Sequence, residues 1–88
     1  MRESKIESYL VKRVKELGGW CCKVQWISRR GAPDRIVMIP ERHHFWVELK
    51  APGMKPEPHQ ERAHTFMRTC GIRVEVVDSL ERVDEVLR

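Results

Sequence analysis

The sequence predicts an α/β fold: a mixed β-sheet flanked by helices, in the order α-β-β-β-α-β-α. Three observations carry this. A stretch of helical period opens the chain and stops at Gly18-Gly19. Three short apolar runs of strand character follow between Trp20 and Lys50. A second helical stretch, a VEVV run and a last capped helix close it. Helices and strands mixed this way bury helical stripes against a sheet. At 88 residues the chain is expected to form one domain, over 1–88, with a small core.

Residues Glu3 to Leu17 read as the first helix, because Ile6, Leu10, Val14 and Leu17 recur on one face. The glycine pair ends it. Glu7 falls inside this apolar stripe, between Val11 and Val14. It is either a helix-start acid favoured by the dipole or a carboxylate aimed at something positive. Trp20 to Trp26 alternates as a strand, and Ile27 to Pro33 forms a loop carrying Arg29, Arg30 and Gly31. Pro33 sets the backbone just before Asp34.

Arg35 to Ile39 is apolar on both faces, the mark of a central strand. Pro40 to His44 is a hairpin-length turn. Along Phe45 to Lys50, Phe45, Val47 and Leu49 face one way and Trp46, Glu48 and Lys50 the other. Pro52 and Pro56 stiffen the loop Ala51 to Glu57, and Pro58 suits a first helical position. The next helix runs to Cys70, with Ala63, Phe66, Met67 and Cys70 as its apolar stripe and Gln60 one turn earlier on it. Gly71 stops it. Arg73 to Val77 is a strand. Asp78-Ser79-Leu80-Glu81 starts a final helix in the manner of a capping box.

Composition narrows the function. No apolar run approaches the ~20 residues that span a bilayer, and the charged N-terminus has no signal-peptide core. A cytoplasmic protein is expected. Cys21, Cys22 and Cys70 are odd in number and lack a C-x-x-C pair, and neither they nor the histidines show zinc-ligand spacing. Lys and Arg total 17 against 13 acids, with a net charge of +4 and a pI near 9.3. That balance permits a polyanionic partner.

Two charges, Glu48 and Lys50, stand inside an otherwise buried-looking strand, which is costly unless they have partners or a task. An antiparallel hairpin centred on residue 42 would set Asp34 opposite Lys50 and diagonal to Glu48, on the order of 7 Å from it. Two carboxylates so placed repel unless a cation lies between them. A hard divalent ion takes such oxygens, with the Leu49 carbonyl as a further ligand. Lys50 could position water and offset charge on a phosphoryl transition state. Glu7 could reach the ion through water, and Gln60 could hydrogen-bond in the same cleft. These are the elements of phosphodiester hydrolysis. Singly, each residue also reads as an ordinary turn or surface position, and a catalytically idle nucleic-acid-binding module is the alternative for the whole.

Pro33-Asp34 followed by Glu48-Leu49-Lys50 resembles the PD-(D/E)XK nuclease superfamily. The wider pattern is Ile6-Glu7 with Leu10, Arg30 to Arg35 (RGAPDR), Val47 to Lys50 (VELK), and Gln60 on a helix ending at Cys70-Gly71. It resembles the VRR-NUC domain of virus-type replication-repair nucleases, in its stand-alone phage and bacterial form. The resemblance implies a restriction-endonuclease-like fold, Mg2+- or Mn2+-dependent DNA cleavage, a homodimer, and action on four-way (Holliday) junctions in DNA repair, with flaps or nicks as other substrates. Position by position, it implies that Asp34, Glu48 and the Leu49 carbonyl ligate metal, that Lys50 is the catalytic lysine, and that Glu7 and Gln60 complete the site. Arg29, Arg30, Arg35, Lys23 and Lys55 are the expected phosphate contacts.

Overall fold

The expected seven elements are present in the computed structural model, which describes residues 1–42 and 44–88. They are α1 (Glu3–Glu16), β1 (Trp20–Lys23), β2 (Arg35–Met38), β3 (His44–Leu49), α2 (Pro58–Thr69), β4 (Val74–Val77) and α3 (Leu80–Val86). The strands form one mixed sheet in the order β1-β2-β3-β4. β1–β2 and β2–β3 are antiparallel, and β3–β4 is parallel. A parallel step needs a crossover long enough to return the chain, and α2 supplies it. Among the described residues no helix is long and apolar enough to cross a membrane.

The two faces of the sheet differ in chemistry. Val37, Phe45, Val47, Leu49 and Val77 lie under Ile6, Leu10 and Val14 of α1 and Val83 and Val86 of α3, and this is the hydrophobic core. Strand alternation sends Ile36, Trp46, Glu48 and Val76 to the other face, which α2 covers with His64 and Met67.

That division corrects the expected α2 stripe. The inward line is Gln60, His64 and Met67, while Phe66 is 69% exposed and Cys70 is exposed. A hydrophobicity count favours Phe66, but the sheet surface that α2 meets carries a carboxylate, so polar side chains turn inward. The first strand is also shorter than expected. It ends at Lys23, with Val24 donating to the Asp34 carbonyl at 2.8 Å as a last rung. Trp26 then turns away, its indole N–H donating to the Pro33 carbonyl at 2.8 Å and its ring 5.1 Å from that of Trp46.

The β2–β3 register is Arg35↔Val47, Ile36↔Trp46, Val37↔Phe45 and Met38↔His44, two residues from the expected alignment. The turn sets it. Arg42 donates to the Ile39 carbonyl at 3.2 Å around Pro40 and Glu41, and Glu41 takes φ 61°. Proline at the first central position and a left-handed residue at the second make a tight turn. Of the turn expected over Pro40 to His44, His43 lies outside the described residues. A slip of two residues keeps every side chain on its face. At this same end of the hairpin, Gly19 lies so close to the Met38 carbonyl that no side chain fits there.

Left-handed backbone penalises an L-residue by roughly 1–2 kcal/mol, part of which glycine returns through its unfolded-state freedom. Glu41→Gly should therefore raise the unfolding free energy by roughly 0.5–1 kcal/mol in urea denaturation. No gain would mean that the turn does not carry this strain.

Candidate active site

Arg35↔Val47 is the last pair of the β2–β3 register; continued by one step it would set Asp34 across from Glu48, and Glu48 does sense the Asp34 charge. Directly opposed residues have Cβ atoms about 5 Å apart, closer than the diagonal expected from sequence. Lys50 lies past Asp34 rather than opposite it, two residues beyond Glu48 on the same face. Its backbone N–H donates to the Val77 carbonyl at 2.9 Å, so β4 fixes where this lysine starts.

Glu48 is buried, its side chain 12% exposed. Gln60 Nε2 donates to its Oε2 at 3.4 Å. The other end of that amide accepts the Glu57 N–H at 2.8 Å, within a capping box at the start of α2. Gln60 thus points at Glu48 because its oxygen is fastened to the helix end. One turn on, His64 Nε2 lies 3.6 Å from Glu48 Oε1. His64 is 1% exposed, and Nε2 has no hydrogen-bond partner among the described residues. Burial, with Arg68 adding to it, pushes the imidazole pKa down. The 3.6 Å approach is therefore that of a neutral ring, not an ion pair.

Desolvation pushes Glu48 up to about 7; Lys50 opposes this, while Asp34 and Glu3 add to it. A buried carboxylate beside a second one, facing an unpartnered imidazole nitrogen, fits an oxygen-liganded cation. The Leu49 carbonyl is a further oxygen at the end of β3, beyond the last β2–β3 pair, Arg35↔Val47. Among the described residues no group of three or more His, Cys, Asp or Glu is arranged around a common point. A Mg2+-class ion does not need one, because it is held by one or two protein carboxylates and keeps several waters.

Two expected members stand elsewhere. Arg35 shares the core face with Val47, and there its Nη2 and Nε donate to Glu7 Oε2 at 2.7 and 3.2 Å, with Nη1 on the Cys21 carbonyl at 3.4 Å. The positive partner that Glu7's inward position required is Arg35. Glu7 is thus ion-paired with Arg35, whose side chain is 14% exposed and already holds that carboxylate. The α1 acid that Glu48 senses is Glu3.

Lys23 and Arg29 border a cleft with Trp26 and Asp34. Arg30 is exposed on the same loop, and Lys55 is exposed in the 51–57 segment. Sequence reasoning missed His64 and Glu3. His64 had a usable signal, four residues after Gln60 on the same helical stripe; Glu3, an exposed first-turn acid, had none. Gly31, at φ +90°, holds the loop that ends at Asp34, since a Cβ there would lie 2.7 Å from the His59 carbonyl oxygen.

No family model matches the chain. A protein described as "Putative nuclease p44", from Acyrthosiphon pisum secondary endosymbiont phage 1, is 44% identical over 79 residues, covering 90% of this chain and 85% of that protein. A solved structure described as "VRR_NUC domain" is 37% identical with a TM-score of 0.88, covering 97% of this chain and 92% of its own.

Two expectations follow from the geometry. Glu48 has a folded pKa above its unfolded value, so its stabilising contribution is full below pH 4.5 and is lost as pH rises through about 7. Going from about pH 5 to about pH 8 should lower the Tm of the metal-free protein more than that of Glu48→Gln; equal slopes in a thermal scan would refute it. Gly31→Ala should destabilise by about 2–4 kcal/mol in urea, from left-handed backbone plus overpacking, and should weaken Mn2+ binding in a calorimetric titration.

Proposed function

The chain belongs to the VRR-NUC nuclease family, and from that premise we propose a Mg2+-dependent endonuclease, with Mn2+ as substitute, that cuts branched DNA and four-way junctions above all. The observation that carries this reading is the pair Asp34 and Glu48 on one sheet face, with Lys50 two residues along the same strand face. Asp34, Glu48 and the Leu49 carbonyl are the groups that would hold the ion. A divalent ion in such a position supplies Lewis-acid activation of the phosphate and a more acidic water.

The chain's own groups do the rest. Lys50 orients the attacking water and offsets the negative charge that grows on the phosphoryl oxygens. Gln60, tied to the Glu57 N–H, holds one oxygen of Glu48, and the neutral His64 ring faces the other. Together they fix the plane of the carboxylate. Lys23 and Arg29, beside Asp34, take the flanking phosphates, and Arg30 and Lys55 extend the basic surface. Glu7 and Arg35 pair with each other. A homodimer with twofold symmetry would present two such sites to the two strands of a symmetric junction.

The test is cleavage of an end-labelled four-way junction with Mg2+, beside matched flap, nicked and linear duplexes. Asp34→Ala and Lys50→Ala should each lose at least about 100-fold in rate, the scale of removing one electrostatic stabiliser. Both variants cutting as fast as the parent would sink the site, and faster cutting of flaps or nicks would replace the junction as substrate. Sedimentation of the parent reads the dimer.

A further inference from the structure

A second concavity of about 600 Å³ lies between the 27–33 loop and α2. Trp26, Phe66 and Ile72 give it apolar and aromatic walls, and Arg29, Arg30 and Arg62 surround them. Phe66 is 69% exposed and Ile72 40%. No carboxylate belongs to its lining. Among the described residues none of these three guanidinium groups has a carboxylate partner, whereas Arg13, Arg35, Arg73 and Arg82 are all ion-paired. Arg42 and Arg68 likewise lack a carboxylate but are bound to backbone carbonyls; Arg29, Arg30 and Arg62 instead gather around one apolar groove.

Trp26 ties this groove to the carboxylates. Its N–H is on the Pro33 carbonyl, next to Asp34, and its ring lies against Trp46, which shares a face with Glu48. An aromatic wall held at two points is a stacking surface set before any ligand arrives. The ligand that matches has flat apolar faces strung on an anionic backbone. An unpaired nucleic-acid strand has both, while a duplex hides its base faces.

We propose that this groove binds an unpaired stretch of a DNA strand beside the cleavage site, its bases stacked on Trp26 and Phe66 and its phosphates on Arg29, Arg30 and Arg62. The word "beside" rests on the nuclease reading; the binding does not. It would let the enzyme tell a strand that leaves a duplex from one that stays in it.

The experiment measures anisotropy of a dye-labelled oligodeoxythymidine and of a blunt duplex, with Ca2+ in place of Mg2+. Phe66→Ala should weaken single-strand binding roughly tenfold, near the low end for stacking one base, and change duplex binding by less than about twofold. Phe66→Tyr should retain single-strand affinity, which separates stacking from misfolding. Arg62→Gln should lower the salt-dependence slope for the single strand by about 0.7, one phosphate contact. Undiminished single-strand binding by Phe66→Ala, or an equal loss on duplex, overturns the proposal. So does dissociation of a parental dimer by Phe66→Ala in sedimentation, because the groove would then be a subunit interface. Cleavage assays on the same samples keep the two readings apart. A parent that binds single strand in this pattern but cuts nothing refutes the nuclease site alone. A parent that cuts while Phe66→Ala binds undiminished refutes the groove alone.

Discussion

Glu48 is a carboxylate held inside a small sheet, and much of the chain is arranged around it. Raising its pKa from 4.5 to about 7 corresponds to a cost on the order of 3 kcal/mol for the charged form. Native proteins have about 5–15 kcal/mol of net stability, so this one position takes a sizeable share. The surroundings lower the cost only in part. Lys50 sits on the same face, Gln60 donates one long hydrogen bond, and burial keeps His64 from bringing a positive charge. A site left short of positive charge in this way is what a cation stabilises.

The sheet separates that cost from the core. On one face α1 and α3 cover an apolar surface with no charge at its centre, and Glu7 and Arg35 meet at its edge. At the far edge Glu75 binds both Arg73 and Arg82, with Arg73 also over the Phe45 ring. These pairs complete the structural face. On the other face α2 brings an amide, an imidazole and a thioether to β3 and β4. Burial of the first face holds the strands in register, and the register then holds Asp34 against Glu48.

The elements were legible in the sequence because helical and strand periods, Gly18-Gly19, Pro58 and Gly71 are local signals. The face that Asp34, Glu48 and Lys50 share was legible too, since alternation survives a two-residue slip. The slip itself was not, because it depends on Glu41 entering left-handed space, which nothing in its residue type favours. The α2 stripe failed for a different reason. Hydrophobicity cannot tell an inward histidine from an outward phenylalanine when the surface beneath is polar. Glu7 and Arg35 were each seen as a charge needing an opposite; that they answered each other, 28 residues apart, required the third dimension.

The misread helix is also the most informative one. Three adjoining lines along α2 meet three different environments. Its first turn accepts the Gly31 loop at His59 and fixes Gln60 through Glu57. Its inward line delivers Gln60 and His64 to the two oxygens of Glu48. Its outward line raises Arg62 and Phe66 beside Trp26. A rotation of α2 by one residue, about 100°, would disrupt all three lines together. The exposed phenylalanine is therefore not a packing defect of a small domain: the helix that must show Gln60 and His64 to Glu48 has no other orientation, and in that orientation Phe66 stands among unpaired arginines at the edge of the carboxylate site.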